Sequence, residues 1–100
     1  MLYAIIGRDV PDSQEKRKAA RPAHVARLQA LMKQGRLFAA GPFPAVNPAD
    51  PAVAKFSGSL ILAEFRSLVE AKAWAKADPY VIAKVYSRIE VKPFKKVLPA

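Results

Sequence analysis

Leu2-Tyr3-Ala4-Ile5-Ile6-Gly7 begins the chain with an unbroken apolar run closed by a breaker, the pattern of a short buried strand. Polar residues then take over. Asp12 and Glu15, behind Pro11, have the spacing of a capping box and predict a helix start. Pro22 lacks the N–H that a helix interior needs, so the main helix is expected to restart around Arg21-Pro22. From there Val25, Leu28, Leu31 and Met32 recur at helical spacing up to Gly35, a natural C-terminal cap. Arg36 to Ala40 reads as a second strand halted by Gly41-Pro42, and Phe43 to Lys55 as a long proline-rich loop. Gly58 to Phe65 is a third strand. Ser67 and Glu70 form another capping box, whose helix runs through Trp74 to about Ala77. Asp78-Pro79 breaks that helix. In the stretch from Val81 to Val91, the residues Val85, Ile89 and Val91 alternate with Tyr86, Arg88 and Glu90, which makes a last strand ended by Pro93.

This order, β-α-β followed by β-α-β, predicts an α+β fold of the ferredoxin-like kind: an antiparallel sheet with both helices on one face. The strands add a condition. Tyr3 and Ile5 alternate with Leu2, Ala4 and Ile6, and Leu60 and Leu62 alternate with Ile61 and Phe65, so both sheet faces are apolar. Two helices cover only one of them. A second copy of the chain presenting the same face is the simplest cover, and a homodimer is expected.

Composition narrows the class. With 100 residues, of which 52% are hydrophobic, the chain has room for one packed domain, residues 1–100, and is too apolar for disorder. The absence of cysteine excludes disulfides, a thiolate nucleophile and thiolate metal sites. Leu2 to Ile6 is too short for the apolar core of a signal peptide and no stretch could span a bilayer, so a cytoplasmic protein is expected. The formal charge of +9 favours anionic partners. Its sources are dispersed: Lys16-Arg17-Lys18, Arg21 and Arg27 in one region, Lys72 and Lys76 in another, Lys92, Lys95 and Lys96 near the end. That scatter reads as solvated faces rather than a track for nucleic acid. The aromatic strand motif of the RNA-recognition module is also missing from Ser59 to Phe65.

His24, the sole histidine, precedes Leu28 and Leu31 on one helical stripe. It is either a core-edge side chain satisfied by the backbone or a general base. Asp78, followed by proline, suits the N-cap of a short turn through Tyr80 to Ile82, or the carboxylate that orients a histidine. In the expected topology the start of one helix and the end of the other tend to lie apart, so the pair meets either because Pro22 displaces the working start of the first helix or because two subunits share the site, with Asp9 as the local alternative partner for His24. Ser57 and Ser59 lack a nucleophile elbow, one histidine is poor metal-binding material, and the isolated Gly41 and Gly58 make no phosphate loop.

Five segments, in order, carry a resemblance: Arg21-Pro22-Ala23-His24; Gly35-Arg36-Leu37 with Ala40-Gly41-Pro42; Phe56-Ser57-Gly58-Ser59; Trp74 through Asp78-Pro79-Tyr80; and Val91-Lys92-Pro93-Phe94-Lys95-Lys96. Together they resemble the YCII-related family across nearly the whole chain. The resemblance implies the dimeric α+β barrel type of ferredoxin-like fold, no cofactor, and one histidine and one aspartate with a hint of catalysis, which fall on His24 and Asp78. One relative of this kind is a dehydrochlorinase of a chlorinated hydroxyquinol. By that likeness the chain is expected to be a cofactor-free lyase or isomerase for a small anionic or phenolic molecule. His24 would be its base, Asp78 the orienting acid, and Arg21, Tyr80, Gly41 and Ser59 would bind the substrate. The alternative is a non-catalytic dimeric module for a small ligand. Lys84 departs from the small residue the family tends to have there, and is expected to narrow the pocket and add charge if it lines it.

Overall fold

The computed structural model describes residues 1–45 and 55–99. Its elements are β1 (Leu2–Asp9), α1 (Gln14–Lys33), β2 (Leu37–Pro44), β3 (Phe56–Glu64), α2 (Leu68–Lys76), α3 (Pro79–Ile82) and β4 (Tyr86–Phe94). The strands form one sheet in the order β2-β3-β1-β4, each neighbouring pair antiparallel. This is the expected βαββαβ arrangement. Most of the expected loop from Phe43 to Lys55 falls outside the described residues.

Three expectations about prolines and caps are corrected. The first helix does not restart at Pro22 but runs unbroken from Gln14 to Lys33. Pro22 deprives only the Lys18 carbonyl of its bond, and both residues are exposed, so water can satisfy that carbonyl. Meanwhile the buried positions Ser13, Arg17, His24 and Leu31 hold the helix to the sheet on both sides of the proline. Second, Asp12 does not cap α1; it takes a left-handed φ of 55°, and Ser13 is the N-cap residue. The Ser13 hydroxyl donates to Asp9 Oδ2 at 2.6 Å instead of accepting from the helix. The other expected capping box forms by half: Ser67 Oγ accepts from the Glu70 N–H at 3.1 Å, while the Glu70 carboxylate pairs with Arg36 at 3.4 Å.

Third, neither Gly41-Pro42 nor Pro93 ends a strand. Pro42 pairs with Ser59 and Pro44 with Phe56, while Pro93 pairs with Tyr3. Both β2 and β4 are edge strands, where half the N–H groups have no partner to lose.

The core lies between sheet and helices. Tyr3, Ile5, Ile61, Ala63 and Phe65 pack against Leu31, Ala71 and Ala75. Burial of each larger aliphatic side chain here contributes about 1.5–3 kcal/mol. A second cluster of Tyr80, Val85 and Tyr86 closes the end of the sheet near Gly7. A Cβ at Gly7 would come within 2.5 Å of the Tyr86 ring, so the glycine makes room for that tyrosine. On the opposite face Leu2, Ala4, Ile6, Leu60 and Leu62 are half-buried, with no helix over them among the described residues.

Candidate active site

Continuity of α1 places His24 mid-helix rather than at a helix start, facing the short α3. Asp78 is the N-cap of α3, extended at φ −61° and ψ 132°, and its Oδ1 accepts the Tyr80 N–H at 2.8 Å. The same carboxylate meets the His24 ring, with Nδ1 2.8 Å from Oδ1 and 3.0 Å from Oδ2. The two residues therefore meet within one chain, although not through a restart of the helix at Pro22. The cap and the orienting roles of Asp78 are both filled at once, because one lone-pair-rich carboxylate can accept from both donors.

That bond sets the tautomer. A carboxylate can only accept, so Nδ1 carries the proton of the neutral ring and Nε2 holds the lone pair. Among the described residues Nε2 has no hydrogen-bond partner, and the ring lines a cleft of about 420 Å³. The cleft lies between α1, β2 and β3. Arg17, Lys18, Arg21, His24, Ser59 and Tyr80 supply its polar lining. Val25, Leu28, Phe56 and Ile61 supply apolar walls, and Ala40-Gly41-Pro42 forms the rim. Arg21, Tyr80, Gly41 and Ser59 thus gather around the same space as His24, with Asp78 behind the ring.

Asp9, the alternative partner, is occupied elsewhere. Arg17 Nε donates to its Oδ2 at 2.6 Å and Nη2 to its Oδ1 at 3.0 Å. Arg17 Nη2 also donates to the Gly58 carbonyl and to Ser59 Oγ, each at 2.8 Å. Arg17 is therefore buried, not part of a solvated face. Burial works against its charge, but the hydrogen bonding and attraction of Asp9 outweigh that and hold its pKa above the ordinary value. Arg27 is the second exception to the solvated reading. Its guanidinium covers the Trp74 ring at 4.2 Å and Nη2 donates to the Trp74 carbonyl at 2.9 Å. Burial lowers its pKa, opposed by the nearby Asp78.

Aromatic rings complete the site. Tyr80 stacks on His24 with centroids 3.9 Å apart and planes 10° from parallel. Arg17 Cζ lies 5.1 Å from the centre of the same Tyr80 ring, and Tyr86 meets it edge-on at 5.5 Å. Burial raises the Tyr80 pKa, with Arg17 and Arg21 pulling the other way. Burial pushes the Tyr86 hydroxyl further up, well beyond the ordinary phenol range. That hydroxyl lies near Ser59 yet makes no hydrogen bond among the described residues.

The sequence reading missed Arg17, Lys18, Phe56 and Tyr86. For Arg17 a signal existed: the stripe through His24, Leu28 and Leu31 extends back through Arg21 to Arg17 at the same helical spacing. Lys84 is exposed, in a left-handed conformation at φ 60°, and does not line the cleft, so it neither narrows nor charges it. Among the described residues no group of three or more metal-ligating side chains occurs, and no helix is long and apolar enough to cross a membrane.

An antiparallel sheet packed on one face by helices, with a buried histidine–aspartate pair beside a cleft, defines a ferredoxin-like α+β protein with one candidate site. The chain belongs to the YCII-related family, as residues 1–95 match the model of the YCII-related domain. It is 60% identical to the protein YciI of Escherichia coli over 97 residues, 97% of this chain and 99% of that one. An uncharacterized protein of Haemophilus influenzae is 50% identical over the same shares of the two chains, 97% and 99%. In structure it is similar to 5-chloro-2-hydroxyhydroquinone dehydrochlorinase (TftG) of Burkholderia phenoliruptrix, solved in complex with 2,5-dihydroxybenzoquinone. The TM-score is 0.83 at 25% identity, covering 95% of this chain and 94% of the other.

Proposed function

We propose that the chain is a cofactor-free enzyme that uses His24 as a general base on a small anionic or phenolic molecule, in an elimination or an isomerisation. One observation carries this reading: Nδ1 is held by both Asp78 oxygens, while Nε2 has no partner among the described residues and the residue lines the cleft. In that arrangement the ring accepts a proton at Nε2, and the carboxylate stabilises the imidazolium that forms. Lys18 and Arg21 make no ion pair among the described residues, so the lining carries positive charge that Asp9 has not already cancelled. The apolar walls suit a ring or short hydrocarbon skeleton, with Gly41 and Ser59 at its edges and Arg21 and Tyr80 holding its polar groups. The likeness to the dehydrochlorinase supports elimination of HCl as one reaction to try.

The test is turnover of a panel of small phenolic, quinonoid and carboxylate compounds, including the chlorinated hydroxyquinol, by the wild type and by His24→Gln. Turnover that disappears in the variant supports the reading. Binding without turnover, or turnover that survives His24→Gln, overturns it, and binding alone favours the non-catalytic module. We further propose that a second copy of the chain covers the open sheet face around Leu2, Ala4, Ile6, Leu60 and Leu62, which remain only half-buried among the described residues.

A further inference from the structure

We infer that Tyr80 is the proton donor of the site, working opposite His24 on a carbonyl compound that the pair interconverts with its enol. The inference rests on the reading of His24 as a base and adds the other half of the proton transfer.

Three features point to it. The Tyr80 and His24 rings are stacked at 3.9 Å and almost parallel, so one fixed unit presents a basic nitrogen and a phenol to the same cleft. The Tyr80 hydroxyl lies beside the Arg17 guanidinium, which can only donate to it, so its own proton has no acceptor among the described residues and is left for a ligand. Finally, the charged groups around the ring favour transient loss of that proton. Arg17 and Arg21 of α1 face it, against Asp78 at the α3 cap. Burial keeps the phenol protonated at rest, and the two guanidiniums would stabilise the phenolate once its proton has gone.

The step balances without a co-reactant. Nε2 takes the proton from the carbon beside the carbonyl, and the C–H electron pair becomes the new C=C bond. The carbonyl π pair moves to oxygen, which receives the Tyr80 proton. The imidazolium then returns a proton to the phenolate, so the net change moves one hydrogen from carbon to oxygen. Arg21 at the mouth suits a carboxylate on the same molecule, and an enolisable keto acid with an apolar tail is the class it fits.

The probe is phenylpyruvate in deuterium oxide, with loss of its C–H signal followed by NMR for the wild type, Tyr80→Phe and His24→Gln. The expected result is exchange above the buffer rate in the wild type and none in His24→Gln. In Tyr80→Phe, which keeps the stacked ring, kcat should fall by about 100-fold or more with KM little changed. Wild-type exchange rates in Tyr80→Phe, alongside an inactive His24→Gln, overturn the donor and leave the base standing. A large rise in KM at unchanged kcat makes Tyr80 a binding group only. No exchange by the wild type overturns the enolisation itself, while the wider panel and His24→Gln still decide the role of the base.

Discussion

The His24 Nδ1 lies 2.8 and 3.0 Å from the two oxygens of Asp78, a carboxylate that also caps α3 through the Tyr80 N–H. Orientation of the imidazole is therefore tied to a helix start, and the two cannot be altered separately by removing the side chain.

Substitution should expose that double duty. Asp78→Ala loses a cap and a buried hydrogen bond to a charged group, and is expected to cost about 2–4 kcal/mol in urea unfolding. Asp78→Asn retains a good cap and should cost about 1 kcal/mol or less. Its side chain can also donate, so it no longer imposes the Nδ1–H tautomer. NMR of the imidazole nitrogens should show Nδ1–H dominant in the wild type and a mixed population in Asp78→Asn, together with lost turnover.

Arg17 and Asp9 form a buried pair, with side chains only 8% and 3% exposed. Removing one partner leaves an uncompensated charge, so Arg17→Met alone is expected to destabilise the fold by about 3–5 kcal/mol. Adding Asp9→Leu should recover much of that loss. A denaturant double-mutant cycle checks the coupling, and additive effects would contradict it.

Alkaline stability follows from the two raised tyrosines. Below about pH 10 both are protonated in the folded and unfolded states alike. Above it the unfolded chain releases protons that the folded state retains, so stability falls with rising pH. Each tyrosine adds a slope of up to about 1.4 kcal/mol per pH unit. Tyr86→Phe should remove its share of that slope. At neutral pH it should be neutral or stabilising by about 1 kcal/mol, because it deletes a buried hydroxyl without a partner. Chemical denaturation between neutral pH and about pH 11 measures both effects.

Gly7→Ala drives a methyl group into the Tyr86 ring. Overpacking of this kind costs about 1–3 kcal/mol. Displacement of Tyr86 should also disturb Tyr80, which it meets edge-on, so near-ultraviolet circular dichroism should change along with the melting temperature.

Sedimentation tests the proposed cover of the sheet face. A dimer at micromolar concentration is expected, and Ile6→Lys together with Leu62→Lys should release monomers whose His24–Asp78 bond is unchanged.

Alternating and helical patterns made the element order and the ferredoxin-like arrangement legible, because they reflect which side of each element meets the core. Proline misled wherever its surroundings decide its effect. Pro22 sits on an exposed helix face, and Pro42 and Pro93 sit on sheet edges, none of which can be told from composition alone. The candidate residues His24 and Asp78 were legible as types and by family likeness. Their meeting was not, since it depends on α1 being continuous and on α3 turning back against it. Arg17 was hidden by its neighbours: in the run Lys16-Arg17-Lys18 only the middle residue is buried.

The prolines of β2 have one more consequence. An edge strand invites a foreign strand to extend the sheet, and β2 forms the rim of the cleft. Pro42 and Pro44 supply no backbone donor, so a visiting strand would find gaps where it needs bonds, and the prolines guard this edge of the sheet against extension.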